Sequence, residues 1–190
     1  MKVIFVAEKD PTWFAACEIE SQSADGCFSP NEIALLLGVR RSQAQANVDR
    51  LEERGLCARM DEHWTEPRKG DERWCLIKPS LTVGREYEVL AIEGDNYLLL
   101  NEPETEPYGN DPVLFHQSLF QVSDATEPTF WSCETNSDGE RYCCPPGWNR
   151  DGFFEDYHDG IEAVRRHFWI DLKKYYPQTW QERTQTRCQR

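Results

Sequence analysis

Residues 29–80 read SPNEIALLLGVRRSQAQANVDRLEERGLCARMDEHWTEPRKGDERWCLIKPS, and this stretch decides the fold of the N-terminal part of the chain. Ser29 and Glu32 have the spacing of a capping box, and Pro30 stands at the first helical position. The pattern predicts a helix that begins after Ser29 and ends at Gly38. Its apolar side is formed by Ile33, Leu36 and Leu37.

A second helix is predicted from about Ser42 to Arg54, with Ser42 and Gln45 able to cap its start and Gly55 ending it. Its buried side follows i, i+4, i+7 spacing and consists of Ala44, Val48 and Leu51. Because one turn takes 3.6 residues, another stripe lies roughly 100° away. That stripe consists of Gln43, Asn47, Arg50 and Arg54. Two helices joined by a tight turn predict a helix-turn-helix.

Two short strands are predicted next, over residues 56–60 and 73–78, joined by the polar residues 61–72. Arg68 and Lys69 form the basic tip of this predicted hairpin. Two helices, a strand, a loop and a return strand in this order resemble the winged helix of MarR-type bacterial regulators. The resemblance covers residues 29–80 and implies a DNA-binding domain with a role in transcription regulation.

A winged helix places its second helix in the major groove, while its wing reaches the neighbouring backbone or the minor groove. On this interpretation Gln43 and Asn47 pair with adenine, and Arg50 pairs with guanine. Cations around the helix and wing hold phosphates. The predicted DNA-binding residues are Arg40, Arg41, Ser42, Gln43, Asn47, Arg50, Arg54, Arg68, Lys69 and Arg73. Alternatively the helix face meets another protein, because residues 30–80 carry nine Lys/Arg and nine Asp/Glu, a net charge of zero.

From residue 80 onward the pattern becomes that of short strands separated by turns. The predicted strands are residues 86–92, 97–101, 113–115, 119–122, 130–133 and 141–144. The first four, with an abrupt turn before residue 119, are compatible with a small SH3-like barrel. A loop is predicted over residues 148–160 and a helix over residues 161–176. The tail that follows is expected to be loosely ordered.

The sequence therefore predicts an α+β protein of two domains. Residues 1–80 form the winged helix-turn-helix domain, and residues 81–190 form an acidic, strand-rich domain with a closing C-terminal helix and a basic tail. The apolar run at the start of the chain has only five residues, too short for a signal peptide or a membrane span. A cytoplasmic protein that does not enter membranes is expected, and its oligomeric state is left open.

The net charge of −13 is distributed unevenly along the chain. Residues 81–162 hold 3 Lys/Arg against 18 Asp/Glu, a balance of −15, whereas residues 163–190 hold 7 against 2, a balance of +5. The acidic segment repels DNA phosphates and attracts basic proteins. This favours a rival hypothesis: an acidic protein-binding module, such as an immunity protein or inhibitor that covers a basic nuclease. A domain kept soluble by its charge has the same pattern.

Two further clusters are candidate chemical sites. Cys133, Cys143 and Cys144 with His158 match zinc-ligand spacing poorly, and the plainer interpretation is that Cys133 faces one of the adjacent pair across a hairpin. The eight cysteines include no Cys-x-x-Cys pair, so most are expected to be buried side chains.

The second cluster is FFEDYHDG, which carries Glu155, Asp156, His158 and Asp159. These side chains can bind a metal or act as acid and base, although clustered acids after aromatic residues more often form a solvated loop. The chain has no phosphate loop, dinucleotide fingerprint or nucleophile motif. We therefore expect no catalytic residue, metal or cofactor.

Overall fold

The computed structural model describes residues 1–6, 10–24, 26–60, 72–102 and 110–187. The protein is mixed α+β, as the sequence predicts. It forms two compact units. The helical unit is Ala7–Pro79, and the strand-rich unit combines Met1–Val6 with Ser80–Arg190. None of the helices in the described ranges has both the length and the apolar character that a bilayer span requires.

Three helices and a pair of short strands make up the part of the helical unit that the structure describes. They are α1 (Pro11–Gln22), α2 (Pro30–Leu37), α3 (Arg41–Glu53), β2 (Cys57–Arg59) and β3 (Trp74–Leu76). Strands β2 and β3 pair antiparallel, with Ala58 opposite Cys75. An isolated bridge adds Phe28 to the far side of Trp74. The core consists of Ala15, Ala16, Phe28, Ile33, Ala44, Val48, Leu51, Leu56 and Trp74.

The predicted boundaries of α2 are confirmed. The Ser29 hydroxyl accepts from the Glu32 backbone N–H, while the Glu32 carboxylate accepts from the Ser29 N–H at 2.8 Å. Gly38 closes the helix in the left-handed region with φ of 65°. The predicted start of α3 near Ser42 is confirmed to within one residue, whereas its predicted cap is wrong. The carbonyl of Arg40 accepts the N–H groups of Gln43 and Ala44 at 3.0 Å, so Arg40 is the cap and Ser42 lies inside the first turn.

The described residues of the strand-rich unit form two sheets. One has the order β4-β1-β8, and the other has the order β7-β6-β5-β10-β9. The strands are β1 (Lys2–Phe5), β4 (Glu86–Glu88), β5 (Ala91–Glu93), β6 (Asn96–Leu100), β7 (Pro112–His116), β8 (Phe120–Asp124), β9 (Ser132–Thr135) and β10 (Arg141–Cys144). All pairings within these sheets are antiparallel.

Strand β1 does not belong to the helical unit, although the predicted division grouped residues 1–80 together. Val3 lies opposite Tyr87 on one side and Val122 on the other, so β1 is the central strand of its sheet. Val3 and Phe5 alternate into the core. The partners of β1 are therefore supplied by residues more than eighty positions away, while the adjacent segment of chain folds separately.

The single strand predicted over residues 86–92 is wrong, because the chain bends at Val89 and Leu90. Strand β4 pairs with β1, whereas β5 pairs with β6 and β10. Both Val89 and Leu90 are fully buried. The Val89 N–H donates to the Met1 carbonyl and the Leu90 N–H to the Leu98 carbonyl, so each half of the run bonds to a different sheet.

Helices close the core at the C-terminal end. They are α4 (Phe153–His158), α5 (Glu162–Tyr175) and α6 (Pro177–Arg187). Trp148 is the centre of a buried aromatic cluster that includes Phe153, Tyr157, Phe168 and Tyr176. The predicted loop over residues 148–160 thus contains a helix, because Phe153 and Tyr157 bury one face of α4. The prediction of a loosely ordered tail is also wrong for residues 178–187, since α6 anchors to the core through the buried Arg183.

Candidate nucleic-acid interface

Helix α3 separates its polar side chains into two flanks. Its buried side is Ala44, Val48 and Leu51. At 100° per residue, one flank carries Gln43, Asn47 and Arg50, and Arg54 follows at the helix end. The other flank carries Gln45, Asp49 and Glu52. The zero net charge of residues 30–80 therefore hides one flank of α3 that carries Arg50 and Arg54 and another that carries Asp49 and Glu52.

The acidic flank bonds to its own domain. The Glu52 carboxylate accepts from the Trp74 indole N–H at 3.2 Å and from the Arg59 backbone N–H at 3.3 Å. Arg59 also lies over the Trp74 ring, with its guanidinium carbon 5.5 Å from the ring centroid. Gln45 donates to Asp49 at 2.7 Å. Glu52 thus ties α3 to β2 and β3, on the opposite side from Gln43 and Arg50.

The opposite flank holds an arginine fixed along the helix. The Arg50 guanidinium donates through Nη2 to the Asn47 carboxamide oxygen and through Nε to the Ala46 carbonyl at 3.4 Å. Gln43 is exposed one turn before Asn47, and Arg54 is half-buried at the C-terminal end of the helix. This flank offers a surface carrying amide and guanidinium donors.

The start of α3 adds exposed cations. Arg40 is the cap residue, and Arg41 and Ser42 follow it in the first turn, all three exposed. A helix N-terminus carries partial positive charge, which adds to the charge of the two guanidiniums. The structure therefore brings Arg40, Arg41 and Ser42 close to Gln43 at one end of α3. Arg68 and Lys69, the predicted tip of the wing, lie outside the described residues.

Arg73 is hydrogen-bonded within its own unit. Its guanidinium donates to the Glu32 carboxylate at 2.8 Å, to the Cys27 carbonyl at 2.9 Å and to the Ser23 hydroxyl at 3.3 Å. The side chain is only 23 % exposed. Because three protein oxygens already accept its N–H groups, Arg73 joins the start of β3 to the N-terminal end of α2, and its placement does not favour the predicted phosphate contact.

A disulfide reinforces the same junction. Cys27 and Cys75 are bonded, next to the bridge in which Phe28 and Trp74 exchange two backbone hydrogen bonds of 2.8 Å. The prediction that most cysteines only fill the core is therefore wrong for this pair. The sequence carried no signal for the bond, since its two cysteines are 48 positions apart.

The strand-rich unit contains a second candidate site, an open cleft of about 930 Å³ that we call the acidic cleft. Among the described residues that line it, five are carboxylates and one is an arginine. The carboxylates are Glu93, Glu134, Asp151, Glu155 and Asp159. Tyr142, Phe153 and Phe154 supply aromatic walls. Partial desolvation, together with the neighbouring Glu155 and Glu140 carboxylates, raises the pKa of Glu93.

The cluster FFEDYHDG contributes to this cleft. Glu155, His158 and Asp159 line it, whereas Asp156 accepts from Arg150 at 2.6 Å. The Arg150 guanidinium also lies over the Phe153 ring, 5.4 Å from its centroid. The arrangement suits a cationic ligand, and the described residues include no group of three or more side chains that would hold a metal ion.

The predicted pairing of Cys133 across a hairpin is confirmed. Cys133 and Cys143 lie opposite each other on β9 and β10 and form a disulfide, which leaves Cys144 as a buried thiol. The alternative zinc set is therefore not supported, because two of its ligands are bonded to each other.

Sequence reasoning missed the strand residues of the acidic cleft. Glu93, Glu134 and Tyr142 come from three different strands, and only the pairing of β5, β10 and β9 brings them together. The high acid content of residues 81–162 was the one available signal, and it did not distinguish cleft residues from other surface acids.

Compared with models of protein families, with curated proteins and with solved structures, the chain matches none.

Proposed function

We propose that the helical unit is a winged helix-turn-helix through which the protein binds DNA in a sequence-dependent manner, as a transcription regulator does. Helices α2 and α3 joined by a short turn, followed by the antiparallel pair β2 and β3, support the fold. One observation carries the function: the α3 flank with Gln43, Asn47 and Arg50 faces away from the flank whose Glu52 bonds to the strands.

We also propose that the strand-rich unit is built on an SH3-like barrel. Three features support this. They are the sheet β4-β1-β8, the adjacent strands β5, β6 and β7 of the other sheet, and the bend at Val89 and Leu90 through which the chain leaves the first sheet and enters the second. A 3₁₀ turn at Gln117–Leu119 precedes β8. On this proposal the helical unit is inserted between the first two strands of the barrel.

The DNA contacts divide into two classes. Arg40 and Arg41 hold phosphates at the start of α3, which positions the helix without reading sequence. Gln43 and Arg50 reach base edges in the major groove, where an amide recognises adenine and a guanidinium recognises guanine. Losing one such base contact weakens the binding free energy by about 1–3 kcal/mol. Losing one phosphate contact reduces the steepness with which the logarithm of the association constant falls against the logarithm of the salt concentration by about one.

The test is selection of duplexes from a random DNA pool by the full chain, followed by affinity measurements on the enriched duplex. We expect Arg50→Ala and Gln43→Ala to weaken binding about 5- to 150-fold, the equivalent of one base contact. We expect Arg41→Ala to reduce the salt slope by about one and to leave the sequence preference unchanged.

The chain offers a matched control in Gln45→Ala, the same substitution as Gln43→Ala on the opposite flank of α3. We expect Gln45→Ala to bind as the wild type does. Failure to enrich any duplex, or equal losses for Gln43→Ala and Gln45→Ala, would refute the proposal.

A second candidate function rests on the acidic cleft. Five carboxylates beside aromatic walls favour a basic protein segment, whose Lys or Arg side chains pair with the acids and stack on the rings. On this alternative the strand-rich unit recruits or covers a basic partner, as an inhibitor does.

This alternative is tested with a fluorescent arginine-rich peptide at fixed ionic strength. We expect the triple variant Glu93→Gln, Glu134→Gln, Glu155→Gln to bind the peptide at least tenfold more weakly than wild type. The control triple, Asp124→Asn, Glu162→Gln, Glu182→Gln, removes the same charge from residues that do not line the cleft. Equal losses in both triples would show that only the overall charge attracts the peptide, and the cleft proposal would then be wrong.

A further inference from the structure

The inference concerns the contact between Asn47 and Arg50 on the DNA-facing flank of α3. The Asn47 carboxamide oxygen accepts from Nη2 of Arg50, three residues later on the same helix. The Ala46 carbonyl accepts from Nε of the same guanidinium at 3.4 Å. Two oxygens of α3 therefore fix one edge of the guanidinium.

This contact changes the role expected of Asn47. A bidentate contact with adenine needs the carboxamide oxygen to accept from the adenine amino group while the carboxamide nitrogen donates to N7. In Asn47 the oxygen accepts from Arg50 on the same helix. The carboxamide is therefore directed along the helix surface towards Arg50, and it is not oriented for the bidentate adenine contact that its residue type suggested.

The remaining donors of Arg50 match guanine. A guanidinium carries five N–H donors in a fixed fork. One on Nε and one on Nη2 are used within α3, which leaves three, including both on Nη1. Guanine presents two acceptors, N7 and O6, side by side in the major groove. The unused part of the fork is sufficient for both.

We propose that Asn47 is a positioning residue that holds Arg50 for guanine, so that the recognised duplex carries a guanine at that position and Asn47 reads no base of its own. The inference rests on the proposed DNA-binding function and specifies the base that its central contact selects. Adenine recognition on this flank is left to Gln43, which is exposed one turn before Asn47.

The experiment determines base preference at each position of the enriched duplex for the full chain and its variants. We expect Asn47→Ala to lower the guanine preference about 5- to 150-fold at the same base pair where Arg50→Ala abolishes it. The double variant should lose no more than Arg50→Ala alone, because both substitutions remove one contact. Asn47→Asp keeps the acceptor oxygen without the amide donor, and it should retain the guanine preference.

If Asn47→Ala instead removes a preference for adenine at a different base pair, and Asn47→Asp removes it as well, Asn47 reads its own base and the inference is wrong. Gln45→Ala controls for unspecific damage to α3, and far-ultraviolet circular dichroism checks that each variant retains its helix content. Failure of the wild type to enrich any duplex refutes DNA binding itself, and the inference with it. If the wild type binds a specific duplex that has no guanine at the base pair affected by Arg50→Ala, the inference is wrong while the proposed DNA binding stands.

Discussion

Nη1 of Arg183 on α6 lies 3.5 Å from Oε2 of Glu102, which follows β6, in the interior of the strand-rich unit. Arg183 is only 4 % exposed, and its Nη2 also donates to the Leu100 carbonyl at 3.3 Å. The Glu102 carboxylate further accepts from the Tyr87 hydroxyl and from Arg85 at 2.8 Å. This buried group of charges anchors the C-terminal helix to the sheet.

Glu102→Ala should therefore destabilise the strand-rich unit by about 3–5 kcal/mol, because it leaves the Arg183 charge buried without its partner. Urea unfolding, with hydrogen exchange of the β6 amides to report on this unit, measures the change. Glu182→Ala is the control. Glu182 pairs with Arg85 at the surface and is 65 % exposed, so its loss should cost below about 1 kcal/mol. Similar costs for both variants would contradict a buried anchor.

The same carboxylate makes the free energy of unfolding depend on pH. Burial raises the pKa of Glu102, but the Tyr87 hydroxyl and the guanidiniums of Arg85 and Arg183 lower it more, so its pKa lies below the usual value. A carboxyl with a lowered pKa stabilises the folded state above the unfolded pKa of about 4.3, and that contribution is lost as the pH falls through the folded pKa.

We therefore expect the wild type to lose more unfolding free energy between about pH 5 and pH 3 than Glu102→Gln does. Urea unfolding at several pH values measures both slopes. Parallel slopes would mean that Glu102 has the same proton affinity in the folded and unfolded chains.

The two disulfides should contribute unequally, because they close loops of different length. Cys27 and Cys75 are separated by 48 positions, and Cys133 and Cys143 by 10. Loop entropy predicts that Cys27→Ser with Cys75→Ser costs about 4 kcal/mol, and that Cys133→Ser with Cys143→Ser costs about 3 kcal/mol. Urea unfolding with and without a thiol reductant measures the contribution of each disulfide. In a variant that lacks one disulfide, the reductant should lower the free energy of unfolding only by the contribution of the other. An unchanged wild type in reductant would contradict the prediction.

Gly147 should not tolerate a side chain, although its backbone conformation is an ordinary one. A Cβ at this position would lie 2.5 Å from Oδ2 of Asp171, which is buried, and 3.1 Å from Nε2 of His167. We expect Gly147→Ala to cost about 1–3 kcal/mol through overpacking. In an Asp171→Ala background the same substitution should cost less, because the obstructing carboxylate is gone, and a double-mutant cycle measures this coupling. Strictly additive effects would place the strain elsewhere.

Local signals in the sequence predicted local structure well. The Ser29 and Glu32 spacing predicted the start of α2, and Gly38 predicted its end. The stripe of Gln43, Asn47 and Arg50 followed from helical periodicity alone. In each case the residues that decide the outcome lie within a few positions of one another, so their interaction can be inferred from spacing.

Features that depend on distant partners were not predicted. The bend at Val89 exists because β1 pairs with only half of the run, and α6 is ordered because Arg183 reaches Glu102, 81 positions earlier. The sequence predicts a phosphate contact for Arg73, because its bond to Glu32, 41 positions away, has no local signature. Its charge was visible in the sequence, whereas its partner was not.

The position of β1 has a consequence for synthesis on the ribosome. Phe5 is made well before β4, which begins at Glu86, and β8, which begins at Phe120, so the sheet around Val3 cannot close until those segments have emerged. At about 5–20 residues per second this delay is on the order of ten seconds. The helical unit is completed at Pro79, within this delay. The strand β1 therefore waits as an unpaired apolar segment, and Val3 and Phe5 make their sheet contacts only after the whole helical unit has been synthesised.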